Sequence, residues 1–451
     1  MVAPATDNPS TETETREEVY VQQLTRAVAE KERLNAIISL REEFDHWDVV
    51  RHDREIEAGA ALALMQKLGY ALSVKGSDEE VVNICSVLEM VYRASSEKVA
   101  SSFSSMGGSI VLPLMMRTID RCITTGIDDN DSAILDITKV LSCFSRENAA
   151  AIEMAHNNDF MHSLLCVVNE KEATNEVKLM SMRTIANLSH AKENMETIAQ
   201  HPNLLDSVIG IAANNACDRT REQAVRVIQN LACSSVNQVP MVQNDKILDV
   251  LVELTSDLYD KTRRGAARAL QNLAFARKNR LLMATCGEGA LLESLVRLAS
   301  SDEYEHARLQ ATKALENLIN HDTIEVLGSH EGLLEALAAV ASLDGNEDVR
   351  NKAATAFKRL ASKIVSPMEC HKNLLKALSN VSDNDETVIA SVILRQATVV
   401  ENCAAMDQDP GILEALAKIA YGPKAANDAR EYAVKTLQML HENRLAMMKA
   451  I

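Results

Sequence analysis

Thr262–Leu273, which reads TRRGAARALQNL, is the stretch that decides the fold, because close copies of it recur along the chain. One copy is REQAVRVIQNL at Arg221–Leu231, and another is RLQATKALENL at Arg308–Leu318. The asparagines near the ends of these copies follow each other at steps of 43, 42 and 45 residues: Asn187, Asn230, Asn272 and Asn317. A repeat of this length is typical of an array of helical units.

Composition supports an array that is entirely helical. A chain of 451 residues exceeds the usual limit of one hydrophobic core, whereas a solenoid grows without enlarging any core. Glycine (15 residues), proline (8 residues) and aromatic residues (3%) are scarce, which suits helices better than strands. We therefore expect an all-α protein.

Charge and targeting features restrict the class of partner and the cell compartment. The formal net charge of −17 repels phosphate backbones and anionic lipids, so neither nucleic acid nor a membrane surface is an expected partner. Nine cysteines without a C-x-x-C pair indicate reduced, mostly packed thiols. We see no secretory signal and no apolar run long enough to cross a bilayer. These features predict a cytoplasmic protein, with a nuclear location left open.

The chain is expected to have three parts. Residues 1–15 are polar and aperiodic, which predicts a disordered tail. Residues 16–54 combine helical periodicity with many charges, as expected of an acidic helical cap at the end of an array. Residues 55–451 form the repeat array.

Each repeat is predicted to contain a short first helix, a second helix and a long third helix. An asparagine marks the first helix seven residues after the repeated one, as at Asn194, Asn237 and Asn279. The third helices are expected to begin at acidic or amide residues, which suit a helix N-terminus: Asp218, Asp260, Glu305, Asp348 and Asn427. This pattern resembles the armadillo repeat, through its G-x-(I/L)-x-x-L second helix and A-x-x-x-L-x-N-L third helix.

The resemblance covers roughly residues 55–451 and implies a right-handed α-α superhelix of about nine repeats. In armadillo proteins the third helices line a concave groove, and their asparagines hold the backbone of an extended partner. The resemblance carries this role to the four asparagines that match the motif: Asn187, Asn230, Asn272 and Asn317.

Helical geometry gives the third helix two faces. At 100° per residue, the apolar positions of Thr262–Leu273 and Ala274 form one stripe, and Asn272 lies opposite it, within about 40° of Arg268. Asparagine and the residue four before it are therefore expected to face solvent or a ligand. The position four before the repeated residue is basic in six of seven repeats: Lys139, Arg183, Arg226, Arg268, Lys313, Thr355 and Lys435.

This basic column predicts a groove that binds an extended acidic or phosphorylated segment. Guanidinium and ammonium groups form charge-assisted bonds with carboxylates and phosphates, and an asparagine amide can bond a partner's backbone. Importin-α places tryptophan where this chain has Arg183, Arg226, Arg268 and Lys313, so the groove resembles that of β-catenin more closely. The alternative is that the column pairs with acids of the array itself, such as Glu222 or Glu316.

A second basic column lies nine residues before the repeated position, on the packed side of the third helix: Lys178, Arg221, Arg263, Arg308, Arg350 and Arg430. A basic group near a helix N-terminus gains nothing from the helix dipole. We expect these residues to form salt bridges between repeats, with acids such as Asp218 or Asp260. Ligand binding is the alternative for this column.

Motifs for catalysis are not found. The chain has no nucleotide-binding loop and no H-E-x-x-H, and the single His46, Asp48 and His52 group is a weak metal signal. His162 and Cys166 lie one turn apart in what reads as a core helix. The prediction is therefore a non-enzymatic scaffold or adaptor without cofactor, metal or small-molecule substrate. The rival prediction is a structural subunit that binds through its convex face or its N-terminal helix.

Overall fold

The computed structural model describes residues 131–213, 217–330, 332–361, 410–422 and 427–450, with isolated positions between 390 and 408. The predicted tail, the predicted acidic cap and the array before residue 131 lie outside the described residues. The chain divides into two compact units, Met1–Ser207 and Val208–Ile451, and each is described by itself.

The regular elements of the described residues are all helices, which confirms the all-α prediction. In chain order they are α1 (Asp131–Phe144), α2 (Asn148–Ala155), α3 (Asn158–Asn169), α4 (Asn175–Leu188), α5 (Met195–Ala199), α6 (Leu204–Ala213), α7 (Asp218–Leu231), α8 (Ser235–Val242), α9 (Ile247–Leu254), α10 (Asp260–Leu273), α11 (Arg277–Thr285), α12 (Ala290–Ser301), α13 (Glu305–Leu318), α14 (Ile324–Ser329), α15 (Leu333–Leu343), α16 (Glu347–Ala361), α17 (Pro410–Tyr421) and α18 (Asn427–Ala450). Within these residues, none of the helices combines the length and the apolar character needed to cross a bilayer.

The predicted three-helix repeat is present in both units. In the first unit it consists of α2, α3 and α4; in the second, of α8 to α10, α11 to α13 and α14 to α16. The third helices α7, α10 and α13 begin at the predicted residues Asp218, Asp260 and Glu305, and α16 begins one residue earlier than predicted, at Glu347. An acidic residue in the first turn complements the positive end of the helix dipole.

Consecutive third helices pack side by side. In the second unit α7 contacts α10, α10 contacts α13 and α13 contacts α16; in the first unit α1 contacts α4. The predicted apolar stripe of α10 is fully buried: Ala266, Ala267, Leu270, Leu273 and Ala274. Burial of one apolar stripe per helix against its neighbours is the main source of stability in such an array.

Glycines have two structural roles in the array, close packing of helices and tight turns before helices. A Cβ atom added at Gly265 of α10 would lie 2.7 Å from Val225 Cγ1 of α7, so glycine permits this close approach. Gly289 and Gly332 have φ of 101° and 80° directly before α12 and α15, which is the left-handed conformation that glycine adopts without strain.

The asparagines of the first helices are buried connectors. Asn279 in α11 donates from Nδ2 to the carbonyl oxygens of Gln238 (2.8 Å) and Leu273 (2.9 Å). Asn194 donates in the same way to Ala151 and Leu188, at 3.0 Å each. These bonds tie each first helix to the preceding repeat and satisfy carbonyl groups near helix ends.

Candidate functional site

The basic column follows the third helices from one repeat to the next. Lys139 and Arg183 lie on the neighbouring helices α1 and α4 of the first unit. In the second unit, Arg226, Arg268 and Lys313 lie on α7, α10 and α13, which contact each other in that order. Because these helices pack side by side, three cations of the second unit fall at equivalent positions on consecutive helices.

The column is partly to fully accessible to solvent. Arg268 and Lys435 are exposed, as is Thr355, which interrupts the basic series. The remaining members are half-buried: Lys139, Arg183, Arg226 and Lys313. The prediction that this position faces solvent is therefore confirmed for Arg268 and Lys435.

Partners within the chain differ along the column. Lys139 forms an ion pair with Asp136, 3.1 Å away on the same helix. Arg226 donates from Nη1 to Gln223 Oε1 at 3.4 Å. Among the described residues, no carboxylate forms an ion pair with Arg268 or Lys313. The two cations at the centre of the second unit's column therefore differ from Lys139, which has a carboxylate partner.

Of the two acids proposed as internal partners of the column, Glu316 pairs with other residues. Glu316 pairs with Lys352 at 3.4 Å and with Arg359 at 3.5 Å, both on the following helix α16. Glu316 is therefore held by residues that are not members of the basic column. This arrangement leaves the alternative of internal pairing without support at Lys313.

The repeated asparagines are buried rather than open, so the expectation that they face solvent is wrong for three of the four. The residues Asn187, Asn230 and Asn272 are 9%, 5% and 7% exposed, and Asn317 is half-buried. Whether they also contact a partner stays a prediction.

The amide nitrogens of these asparagines bond the preceding third helix. Asn272 Nδ2 donates to the carbonyl oxygen of Gln229 at 3.1 Å, and Asn317 Nδ2 donates to that of Gln271 at 3.1 Å. Asn187 donates to the carbonyl oxygen of Ser142 at 3.2 Å in the first unit. The last carbonyls of a helix lack partners within their own helix, and the next repeat supplies one.

Arg359 replaces asparagine at the same position of α16. Its Nη1 donates to the carbonyl oxygen of Glu316 at 3.2 Å, and its Nη2 donates to that of Ile319 at 3.0 Å. A longer side chain thus makes the same type of bond to the preceding third helix. The bond between repeats, rather than the amide group itself, is what persists at this position.

Three of the six residues of the second basic column form the predicted salt bridges between repeats. Arg263 Nε lies 2.5 Å from Asp302 Oδ2, and Arg308 Nε lies 2.6 Å from Asp344 Oδ2. Arg221 Nε lies 2.8 Å from Asp257 Oδ2. Each of these aspartates belongs to the turn before the next third helix. Of the acids that the sequence suggested, Asp218 pairs with Arg221 at 2.7 Å, but on the same helix rather than between repeats.

The turn before each of these third helices bonds the preceding repeat and the helix that follows it, so the contacts continue from repeat to repeat. The carboxylate of Asp302 accepts from Arg263 of the preceding repeat and from the backbone N–H of Tyr304, at 2.8 Å. The carbonyl oxygen of the same residue accepts from Arg308 Nη1 at 2.8 Å. We call this series of Arg–Asp contacts the arginine chain: Arg221, Asp257, Arg263, Asp302, Arg308, Asp344 and Arg350.

The electrostatics of the arginine chain are those of stable ion pairs. Burial alone would raise the pKa of Asp344, but hydrogen bonds from Arg308 and from the backbone of Asn346 outweigh it and lower that pKa. Hydrogen bonds that the guanidinium groups donate to the aspartates raise the pKa of Arg221, Arg263 and Arg308. The carboxylates are 5 to 7% exposed, which favours a structural role over ligand binding.

Three further cations on the same helices were missed in the sequence. Lys261 and Arg264 precede Arg268 at helical spacing on α10, and Arg219 lies on α7. Lys261 and Arg219 are exposed, whereas Arg264 has a buried Nε without a hydrogen-bond partner. The i, i+3, i+7 spacing of Lys261, Arg264 and Arg268 was the signal that could have revealed them.

A cavity and a cysteine–histidine pair are weaker candidates for a functional site than the basic column. A cavity of about 340 Å³ is lined partly by Asp302, Arg308 and Asp344, whose polar groups already bond each other in the arginine chain. Cys166 Sγ lies 3.6 Å from His162 Nε2 on α3, beside the buried Leu164 and Leu165. Within the described residues, no cluster of His, Cys, Asp or Glu could hold a metal ion.

Comparison with known proteins supports the fold alone. No family model matches the chain, and no curated protein matches it. An engineered protein solved by a structural genomics consortium aligns with 95% of this chain and 99% of its own length, at 17% identity and a TM-score of 0.66. Together with the recurring first, second and third helices, this likeness confirms the predicted fold class at the level of an all-α superhelical repeat protein.

Designed armadillo repeat proteins are also similar to part of the chain. One, computationally designed for modular peptide recognition, aligns with 55% of this chain and 99% of its own, at 21% identity and a TM-score of 0.47. Another, in complex with the peptide (KR)4, aligns with 55% of this chain and 99% of its own, at 21% identity and a TM-score of 0.47.

Proposed function

We propose that this protein is a non-enzymatic scaffold whose third-helix face binds an extended, acidic or phosphorylated segment of another protein. The basic column would supply the contacts to the partner's side chains: Lys139, Arg183, Arg226, Arg268 and Lys313. The observation that carries the proposal is the pair Arg268 and Lys313, which lie on adjacent helices without an ion pair to any described carboxylate. In a chain of net charge −17, such a pair favours an anionic ligand.

The spacing of the column suits an extended chain. Packed helices lie about 8–10 Å apart, and a peptide in the extended polyproline II conformation advances about 3.1 Å per residue, with about three residues per turn. Acidic groups three residues apart would therefore meet the cations of consecutive repeats. The proposed likeness to the β-catenin groove rests on the basic residues at these positions.

The asparagines have a smaller part in the proposal than the armadillo resemblance implies. In Asn187, Asn272 and Asn317 the Nδ2 atom already bonds the preceding third helix. We assign the Oδ1 atoms of the repeated asparagines to the partner's backbone N–H groups. The asparagines thus hold the repeats in register, and the cations provide most of the attraction.

The test is a double charge reversal, Arg226→Glu with Arg268→Glu, measured as binding of a fluorescein-labelled peptide rich in glutamate and phosphoserine. Loss of two charge-assisted bonds of about 1–1.5 kcal/mol each should weaken binding about 30- to 150-fold. The matched control is Lys246→Glu, the same change at an exposed residue before α9, away from the third helices.

The control should bind the peptide as well as the unmodified protein does. Circular dichroism should show unchanged helix content in both variants, since neither change removes buried apolar surface. Equal binding by the double variant and the control would overturn the proposal.

A further inference from the structure

The first helices α8 and α11 carry an exposed apolar surface that the groove does not use. Large apolar side chains on these helices and on the turn before α11 are about half exposed: Val236 53%, Phe275 53%, Leu281 47% and Leu282 52%. We call these four residues the apolar ledge. Single exposed apolar side chains are common on protein surfaces, whereas several on two helices in contact mark a candidate interaction site.

Hydrogen bonds hold the helices of the apolar ledge in place. Asn279 of α11 donates to the carbonyl oxygen of Gln238 in α8 at 2.8 Å, which joins the two helices. Arg280 Nε donates to the carbonyl oxygen of Ala274 at 2.8 Å, and its Nη2 donates to that of Phe275 at 3.3 Å. These bonds hold α11 against the end of α10, so the exposed apolar groups are presented by fixed backbone.

Charge around the ledge has the opposite sign to that of the chain. Helices α8 and α11, with sequences SVNQVPMV and RKNRLLMAT, contain no acidic residue, and α11 contains three basic ones. The chain as a whole has 64 acidic and 47 basic residues. The other described first helices each contain a glutamate: Glu153 in α2, Glu196 in α5 and Glu325 in α14.

We propose that the apolar ledge binds an acidic amphipathic helix of a partner protein. The occupant's leucine-like side chains would cover Leu281, Leu282 and Val236. Its acidic side chains would meet Lys278, which is exposed on α11, whereas the neighbouring Arg277 already pairs with Asp322 at 3.1 Å. Helices of eight and nine residues are about 12–14 Å long, and neighbouring axes lie about 8–10 Å apart. That area suits two to three turns of helix with anchors at i, i+3, i+4 and i+7.

Charge argues against two other occupants. A second copy of the chain docked through the same face would place Arg277 and Lys278 against themselves, because a twofold interface brings equivalent residues together. An anionic membrane would repel a chain of net charge −17. An acidic partner helix meets neither obstacle.

The experiment uses the full chain and a labelled peptide of about four helical turns, with leucines on one face and glutamates on the other. The test variant is Leu281→Glu with Leu282→Glu; both side chains are already half exposed, so the fold should be retained. The matched control is Leu258→Glu, the same change at a leucine that is 96% exposed in the turn before α10. We expect binding to fall about tenfold or more in the test variant and to stay unchanged in the control.

Further arms separate this site from its rivals. Lys278→Glu should weaken binding of the acidic peptide, and a peptide with lysines in place of the glutamates should bind less tightly. Variants of the basic column at Arg226 and Arg268 should leave this binding unchanged, so the ledge and the proposed function can fail separately.

Four results would overturn the proposal. They are absence of binding to the unmodified chain, undiminished binding in the test variant, binding of phosphatidylserine vesicles that the test variant abolishes, and self-association that the test variant abolishes.

Discussion

The arginine chain predicts that repeats of the second unit are coupled through single Arg–Asp contacts, and Arg263 offers the sharpest test. Arg263→Met removes two bonds to the Asp302 carboxylate and two to the carbonyl oxygens of Asp257 and Leu258. The carboxylate of Asp302, 5% exposed, then keeps the hydrogen bond from the backbone N–H of Tyr304, while Arg308 still bonds the carbonyl oxygen of the same residue. An uncompensated buried charge costs about 3–5 kcal/mol, and the remaining bond places the expected loss near the lower end.

The partner change and the double change complete a thermodynamic cycle. Asp302→Asn should cost about 2 kcal/mol, because the guanidinium of Arg263 keeps its two backbone carbonyl acceptors. The double variant should cost about 3 kcal/mol, since neither charge is then left alone. The interaction energy of the pair is therefore expected to be about 2 kcal/mol.

The assay is native-state hydrogen exchange followed by mass spectrometry on fragments of α10 and α13. Local opening suits an array better than one global midpoint, because contacts in a solenoid join nearest neighbours. The control is Arg277→Met, which breaks a pair with Asp322 whose side chains are 71% and 43% exposed and which should cost less than about 1 kcal/mol. Additive losses of stability in the cycle, or equal losses in Arg263→Met and the control, would refute the proposed coupling of repeats through the arginine chain.

Three further outcomes are expected. Gly265→Ala should destabilise the array by about 1–3 kcal/mol through overpacking, while Gly210→Ala, with nothing within 4 Å, should stabilise it by about 0.5–1 kcal/mol, as measured by denaturant unfolding. The pKa of Asp344 is lowered in the folded protein, so its pairing with Arg308 stabilises the fold above the unfolded pKa of about 3.9. This stabilisation is lost as the pH falls through the folded pKa. The difference in unfolding free energy between the unmodified protein and Arg308→Met should therefore shrink below about pH 4. Thr355→Lys, which extends the basic column at an exposed position, should tighten binding of the acidic peptide about threefold, and weaker binding would count against the column.

The features predicted well are those that depend on one helix at a time. The repeat period, the starts of α7, α10 and α13 and the buried stripe through Ala266 and Leu270 follow from spacing alone. The salt bridges predicted for the second basic column are confirmed at Arg221, Arg263 and Arg308, because a cation on the packed side of a helix needs an acidic partner.

The features missed depend on the neighbouring repeat. A helical wheel places Asn272 opposite the apolar stripe, but it omits the end of α7, whose Gln229 carbonyl accepts from Asn272. The acid that pairs with Arg263 is Asp302, 39 residues away in the turn of the next repeat, and it is neither of the two acids that the sequence suggested. Arg359 shows the same limit, since no asparagine motif marks its bond to Glu316.

The most direct test of the central claim is the salt dependence of peptide binding to the unmodified chain. A peptide rich in glutamate and phosphoserine and a lysine-rich peptide of equal length would be titrated at low and at high salt. A basic column predicts that the acidic peptide binds, that the lysine-rich peptide does not, and that salt releases the acidic one because partly exposed charges are screened. Equal binding of both peptides, or binding of the acidic one that salt does not change, would contradict the account.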